Sequence, residues 1–205
     1  MMNANEFDMW SKTYDVDVTL SEHADTYPFS GYSCVLSYIY QEIQGKDHSR
    51  ILDIGFGTAT LTEKFYLQGH DIYGVDFSQE MVDIAKGKMP DAKLYTCDIS
   101  SGIPKEIATQ SFDFIISTYA FHHFEEEQKV SIIQRLLQQL EPEGVLLLGD
   151  VAFSTEEEMS QCEKSNPDVW DHDEKYLVAE KICKHFPRSN FRKITSCSGV
   201  LRITT

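Results

Sequence analysis

Ile51-Leu52-Asp53-Ile54-Gly55-Phe56-Gly57-Thr58-Ala59-Thr60 passes from an apolar run, short enough for a buried strand, into two glycines one residue apart and then into a helical pattern. Glycines at that spacing let the backbone turn sharply and aim its N–H groups at a ligand. Outward from this stretch the same alternation continues. Strand-like runs at Arg50–Ile54, Asp71–Val75, Lys93–Cys97, Phe112–Thr118 and Gly144–Val151 are separated by helical stretches at Thr58–Gln68, Ser78–Lys88 and Glu126–Leu140, closed by Gly69, Pro90 and Pro142. That order predicts parallel strands joined by crossover helices, a doubly wound α/β sheet. Near the end, Phe191–Cys197 and Val200–Thr204 flank Ser198-Gly199 and predict an antiparallel hairpin turning there. Before residue 50 the pattern is helical and Tyr-rich, over Glu6–Tyr14 and Tyr32–Ile43, a cap for the sheet or its cleft.

The 205 residues suit one domain with a sizeable core. We divide it into an N-terminal helical cap at 1–49, a ligand-binding core at 50–151, and C-terminal helices with the hairpin at 152–205. Apolar residues at 41% and aromatics at 12% are too many for a disordered acidic chain, so the net charge of −15 belongs on the surface of a packed globule. With 33 acidic against 18 basic residues and no basic run, the chain lacks the cationic footprint of nucleic-acid binding and is repelled by anionic membranes. No stretch approaches a membrane span, and the start, MMNANEFDMWSK, has no signal-peptide pattern. Five scattered cysteines, never in a CxxC pair, read as reduced thiols. The expectation is a cytoplasmic protein, monomer or homodimer, with a small-molecule ligand.

Ligands of such sheets bind beyond the carboxyl ends of the strands, so the residues there carry the function. A dinucleotide fingerprint would want Gly or Ala three residues after Gly57, where Thr60 stands; Thr60 and the acid Asp53 point away from NAD. The second strand ends in Asp76-Phe77-Ser78, about 20 residues past the glycines, where a carboxylate can accept from both hydroxyls of a ribose. Asp76 can equally stabilise the start of the helix that Ser78 caps. The third ends in Asp98-Ile99, an acid able to accept from an adenine amino group with an apolar side chain against the ring, or a plain turn residue.

This series resembles the class I S-adenosylmethionine-dependent methyltransferases, whose motifs run hhDhGxGxG, an acid ending strand two and an acid after strand three. Here these are Asp53, Gly55 and Gly57, then Asp76, then Asp98. Phe112-Asp113-Phe114-Ile115-Ile116-Ser117 is similar to the family's strand-four motif, and Leu140-Glu141-Pro142-Glu143-Gly144 to its turn into strand five. Ala59 departs from the third glycine of many members. The resemblance narrows to small bacterial methyltransferases of unassigned substrate through Phe7-Asp8-Met9-Trp10-Ser11-Lys12-Thr13-Tyr14-Asp15, which in that group caps the cofactor cleft, and Ser117-Thr118-Tyr119-Ala120-Phe121-His122-His123-Phe124. It implies a Rossmann-like, seven-stranded sheet, S-adenosylmethionine as cofactor and S-adenosylhomocysteine as product. It further implies cofactor contacts from Asp53, Gly55, Gly57, Asp76, Phe77, Asp98, Ile99 and Ser117.

On the acceptor side, His122 and His123 follow strand four, where a neutral imidazole can take a proton from a hydroxyl or amine, or simply pack against the next helix. Tyr14 joins them, and Tyr14, Tyr119 or Phe121 offers an aromatic wall suited to a sulfonium that loses its charge during transfer. Neighbouring side chains are expected to diverge and no second ligand pair accompanies them, so no metal site is expected. Asp150 ends strand five and either binds a cationic acceptor or caps a turn. The acidic, aromatic-punctuated stretch 166–174 is a lid or a solvated loop. Two rival functions stay open: an NAD(P)-dependent oxidoreductase, and a non-catalytic cofactor-binding protein.

Overall fold

The computed structural model describes residues 27–205. The expected helix Glu6–Tyr14, the motif at 7–15 and Tyr14 itself lie outside the described residues. Helix α1 (Tyr32–Ile43) buries Val35, Leu36, Ile39 and Ile43, the i, i+1, i+4, i+8 stripe of an amphipathic helix. It lies close over the sheet because Gly149 has no side chain: a Cβ there would meet Val35 Cγ1 at 2.5 Å.

The strands β1 (Arg50–Ile54), β2 (Asp71–Asp76) and β3 (Lys93–Thr96) alternate with α2 (Thr62–Leu67) and α3 (Gln79–Lys88). A four-residue helix α4 (Lys105–Ala108) leads to β4 (Phe112–Thr118), and α5 (Glu126–Leu137) to β5 (Leu140–Phe153). Then come α6 (Glu156–Ser165), a two-residue β6 (Leu177–Val178), α7 (Ala179–Ile182), β7 (Ser189–Lys193) and β8 (Ser198–Thr204). The sheet order is β3-β2-β1-β4-β5-β8-β7, parallel from β3 to β5 and antiparallel across β5-β8-β7, with β6 pairing beside the far end of β5. Order reverses between β1 and β4, which opens a crevice at their carboxyl ends. The middle strands are buried on both faces, as the near-continuous apolar runs Ile51–Ile54 and Phe114–Ile116 require.

The architecture is the expected one, a mostly parallel doubly wound sheet with antiparallel C-terminal strands; β6 is an eighth strand that two residues could not announce. Local boundaries moved for identifiable reasons. The helix after the glycines starts at Thr62 rather than Thr58, because Gly55, Gly57 and Ala59 all have positive φ and interrupt any helix. The C-terminal hairpin turns over Ile194–Cys197, not at Ser198-Gly199, because the Thr195 hydroxyl accepts from Cys197 and Ser198 N–H and closes the turn by itself. Gly199 is instead a strand residue whose missing side chain admits the Phe191 ring. Pro142 and Glu143 fall in an irregularity within β5, where pairing with β4 shifts register between Phe112 and Phe114.

Candidate functional site

A cavity of about 520 Å³ opens at the crevice between β1 and β4. Asp53, Gly55, Gly57, Asp76, Phe77, Asp98, Ile99, Tyr119 and His123 are all on its wall, so residues chosen from four separate strand ends converge. That size suits a small-molecule ligand.

The glycine loop is fixed from below. Gly55 N–H donates to Val75 O at 2.7 Å, Gly57 N–H to Asp76 Oδ2 at 2.8 Å, and Lys88 Nζ to Thr58 O at 2.6 Å. Both glycines have positive φ, and a Cβ on Gly55 would lie 2.6 Å from Ala120 Cβ. Asp76 makes the helix-start contact expected of it and holds the loop as well: Oδ1 accepts from Ser78 N–H at 2.9 Å, Oδ2 accepts from Gly57 N–H, and the carboxylate forms part of the cavity wall. Ser78 caps α3 through Met81 N–H.

Asp53 is fully buried behind the loop. Its Oδ2 accepts from the Thr62 hydroxyl, while Oδ1 has no hydrogen-bond partner among the described residues. Burial pushes its carboxyl up to about 7, with the nearby Asp76 charge adding in the same direction and the Thr62 hydrogen bond opposing. Asp98 is exposed at the rim and accepts from Ser100 N–H at 2.9 Å, so its turn role is present whatever else it contacts. Ile99 lies beside it, its carbonyl held by Arg135 at 2.9 Å.

Ser117 differs from the rest. It is off the cavity wall, and its hydroxyl donates to Ile54 O at 2.7 Å, tying β4 to β1. Strand alternation explains this: the next residue, Thr118, is the one on the wall.

The far wall is aromatic and then polar. Tyr32, Phe29 and Tyr119 pack ring to ring at 4.9 to 6.2 Å. Beyond them a 3₁₀ turn at Phe121–His123 brings the two imidazoles together, centroids 4.2 Å apart, instead of letting them diverge. Asp150 is buried and serves this turn. Oδ2 accepts from Phe121 N–H at 2.9 Å and His122 N–H at 3.1 Å, and Oδ1 lies 2.6 Å from His122 Nδ1. Burial disfavours the His122 imidazolium, but Asp150, aided by Glu174, outweighs it and leaves the pKa raised.

Sequence reasoning missed two residues that stand behind this wall without lining the cavity. Glu174 comes from the acidic 166–174 stretch and sets Oε2 3.3 Å from His123 Nδ1 and 3.7 Å from His122 Nε2. That stretch is anchored but largely exposed: Trp170 stacks on Tyr27 at 5.1 Å and, just past the stretch, Tyr176 hydrogen-bonds the Tyr27 hydroxyl, while Pro167, Asp168, Val169, Asp171, His172 and Asp173 are exposed. Lys129, on α5, is buried, with Nζ donating to the carbonyls of Phe124 and Lys175; burial lowers its pKa to about 8. A lysine inside an amphipathic helix carries no signal that its tip will be buried.

Among known proteins, the family model described as a methyltransferase domain matches residues 51–144. The chain is 34% identical to an uncharacterized methyltransferase of Oceanobacillus iheyensis over 151 residues, 74% of this chain and 68% of that protein. It is 33% identical to one of Bacillus cereus over the same shares. Solved structures of similar fold include DesVI of Streptomyces venezuelae, with a TM-score of 0.65 at 16% identity over 85% of this chain and 92% of that one. A magnesium protoporphyrin IX methyltransferase of Synechocystis with bound SAH gives 0.62 at 16% identity over 100% and 89%.

Proposed function

This chain belongs to the class I S-adenosylmethionine-dependent methyltransferases, and from that premise we propose that it moves the sulfonium methyl group directly, in line, to a small-molecule acceptor in the cytoplasm. The observation that carries the reading is the convergence of the glycine loop with Asp53, Asp76 and Asp98 on one cavity whose opposite wall is aromatic and then imidazole.

In this reading S-adenosylmethionine lies along the strand ends. Gly55 and Gly57 admit the methionine part, Asp76 accepts from the ribose hydroxyls, and Asp98 with Ile99 and Phe77 receives the adenine. Asp53 faces the amino group through the loop. The cofactor supplies an electrophilic methyl on a good leaving group, so the chain's own contribution is mostly positioning, for which roughly 7–11 kcal/mol is available. Tyr119 and its aromatic neighbours suit a positive charge that disappears in the transition state, where an anion at sulfur would oppose reaction. His123, backed by His122, is the polar group on the side where the acceptor loses its proton.

The net charge of −15 supports a small acceptor over a nucleic acid. The test is calorimetric titration with S-adenosylmethionine and S-adenosylhomocysteine, with NADH as control, followed by a search for methylated product in a metabolite panel. The expected result is selective binding of the first two and turnover that is lost in a folded Gly55→Arg variant. Preference for NADH, or binding without any product, overturns it in favour of the oxidoreductase or the non-catalytic reading respectively.

A further inference from the structure

Two segments far apart in sequence bring three metal-ligating side chains to one point beside the cavity. His122 and His123 come from the turn after β4 and Glu174 from the strap before β6, and one donor atom from each lies within 4.8 Å of the others. An ion with bonds of about 2.0–2.2 Å to imidazole nitrogen and carboxylate oxygen holds neighbouring donors about 3.3–3.5 Å apart in a tetrahedral shell. The observed separations from Glu174 Oε2 are 3.3 Å to His123 Nδ1 and 3.7 Å to His122 Nε2.

Three independent features support a ligand set over a chance contact. Asp150 Oδ1, 2.6 Å from His122 Nδ1, is placed to accept from Nδ1–H, and in that neutral tautomer the Nε2 lone pair is left toward Glu174, the carboxylate–histidine arrangement of metal-bound imidazoles. Glu174 Oε2 is shielded from solvent and has no hydrogen-bond partner among the described residues. The two segments are also strapped together: Lys175 N–H donates to His122 O at 2.7 Å, and Lys129 Nζ joins the carbonyls of Phe124 and Lys175. Preorganised donors of this kind are what a metal site needs.

We propose that His122, His123 and Glu174 bind one divalent transition-metal ion of the zinc class, with its open coordination position facing the cavity that His123 lines. Two imidazoles and one carboxylate with a vacant fourth position is a donor set of catalytic rather than structural zinc. What the ion would do rests on the function proposed above: with His123 engaged as a ligand and not as proton acceptor, the ion would take the acceptor's oxygen or nitrogen as fourth ligand and ease loss of that atom's proton to water. The acceptor is then a molecule with a hydroxyl, carboxyl or amine donor beside the methylated atom. Its existence does not rest on that function.

The full chain, stripped with a chelator, is titrated with Zn²⁺ by calorimetry and with Co²⁺ by visible absorption, and S-adenosylmethionine affinity is measured on the same samples. One equivalent per chain is expected, with cobalt bands of a low-coordinate site and no thiolate charge-transfer band. Glu174→Gln and His123→Gln should each weaken Zn²⁺ binding by more than the roughly 10–100-fold that losing an outer partner costs, and Glu174→Asp by less. His172→Ala, at an exposed histidine beside Glu163, should leave it unchanged. Thermal melting checks that each variant is folded, and if one of the two ligand variants is not, the other decides. No stoichiometric binding to the unaltered chain, or binding that survives loss of either ligand, overturns the site. Failure to bind S-adenosylmethionine would strike the function above and leave the metal result standing.

Discussion

Replacing Asp53 by Asn should make the protein more stable at pH 8 and leave it nearly unchanged at pH 4. Asp53 is fully buried, and burial raises its carboxyl from the ordinary 3.8 to about 7. Because the folded-state value is raised, the folded chain keeps a proton that the unfolded chain gives up. The resulting stability is fully present below the unfolded value near pH 4, and it is lost as pH rises through about 7. At about 1.4 kcal/mol per pH unit, the loss accumulated over that window is about 4 kcal/mol. Asn keeps the shape and an acceptor for the Thr62 hydroxyl and cannot ionise. The stability difference between variant and parent should therefore grow by about 4 kcal/mol between pH 4 and pH 8, roughly 8–16 °C in Tm for a chain of this length. Denaturant unfolding of both proteins across that range reads the difference directly and cancels every group they share. A difference that stays flat with pH would refute the reasoning, because Asp53 would then not be titrating in the window. Adding S-adenosylmethionine extends the test: its ammonium group facing Asp53 should expel the proton, so binding near pH 6 releases H⁺, visible as a dependence of calorimetric heat on buffer ionisation enthalpy.

Asp76→Ala removes the acceptor of both Gly57 and Ser78 N–H, and S-adenosylmethionine affinity should fall at least about tenfold, or about 1.4 kcal/mol, in calorimetry; unchanged affinity sinks the ribose role. Ser117→Ala loses only the bond to Ile54 O, so it should cost about 1 kcal/mol in denaturant unfolding while cofactor affinity holds, and a large affinity loss would return Ser117 to the binding set. Gly149→Val should cost about 1–3 kcal/mol by pushing α1 off the sheet, since even a Cβ meets Val35 at 2.5 Å; a neutral effect would mean that the helix can yield.

How far the sequence could be read follows from the range of the contacts involved. The strands β1, β2 and β4 are mostly apolar runs of five to seven residues, broken by few polar positions, so their parallel stacking is legible from the pattern. The acids at their tips are legible by the same token, since the strand ends themselves carry them to the crevice. Ser117 lies one residue of alternation off the cavity wall, and a threonine hydroxyl, not a glycine, closes the final turn. β6 is two residues long and exists only because β5 extends far enough to pair with it.

The imidazole wall is encoded differently. His122 meets Asp150 at a separation of 28 residues and Glu174 at 52, and no local pattern links them. What makes the link is the length of β5, which carries Asp150 under the turn, and the Lys129 clamp that brings the strap across. The two walls of the cavity therefore answer to different selections of residues. The methyltransferase-domain match at 51–144 contains the glycine loop, Asp53, Asp76, Asp98 and both histidines, but it stops short of Asp150 and Glu174, the carboxylates that pair with them. A relative that shares the matched segment can thus keep the glycine loop and its acids intact while differing at the carboxylates that hold the imidazoles, with no trace in the motif series.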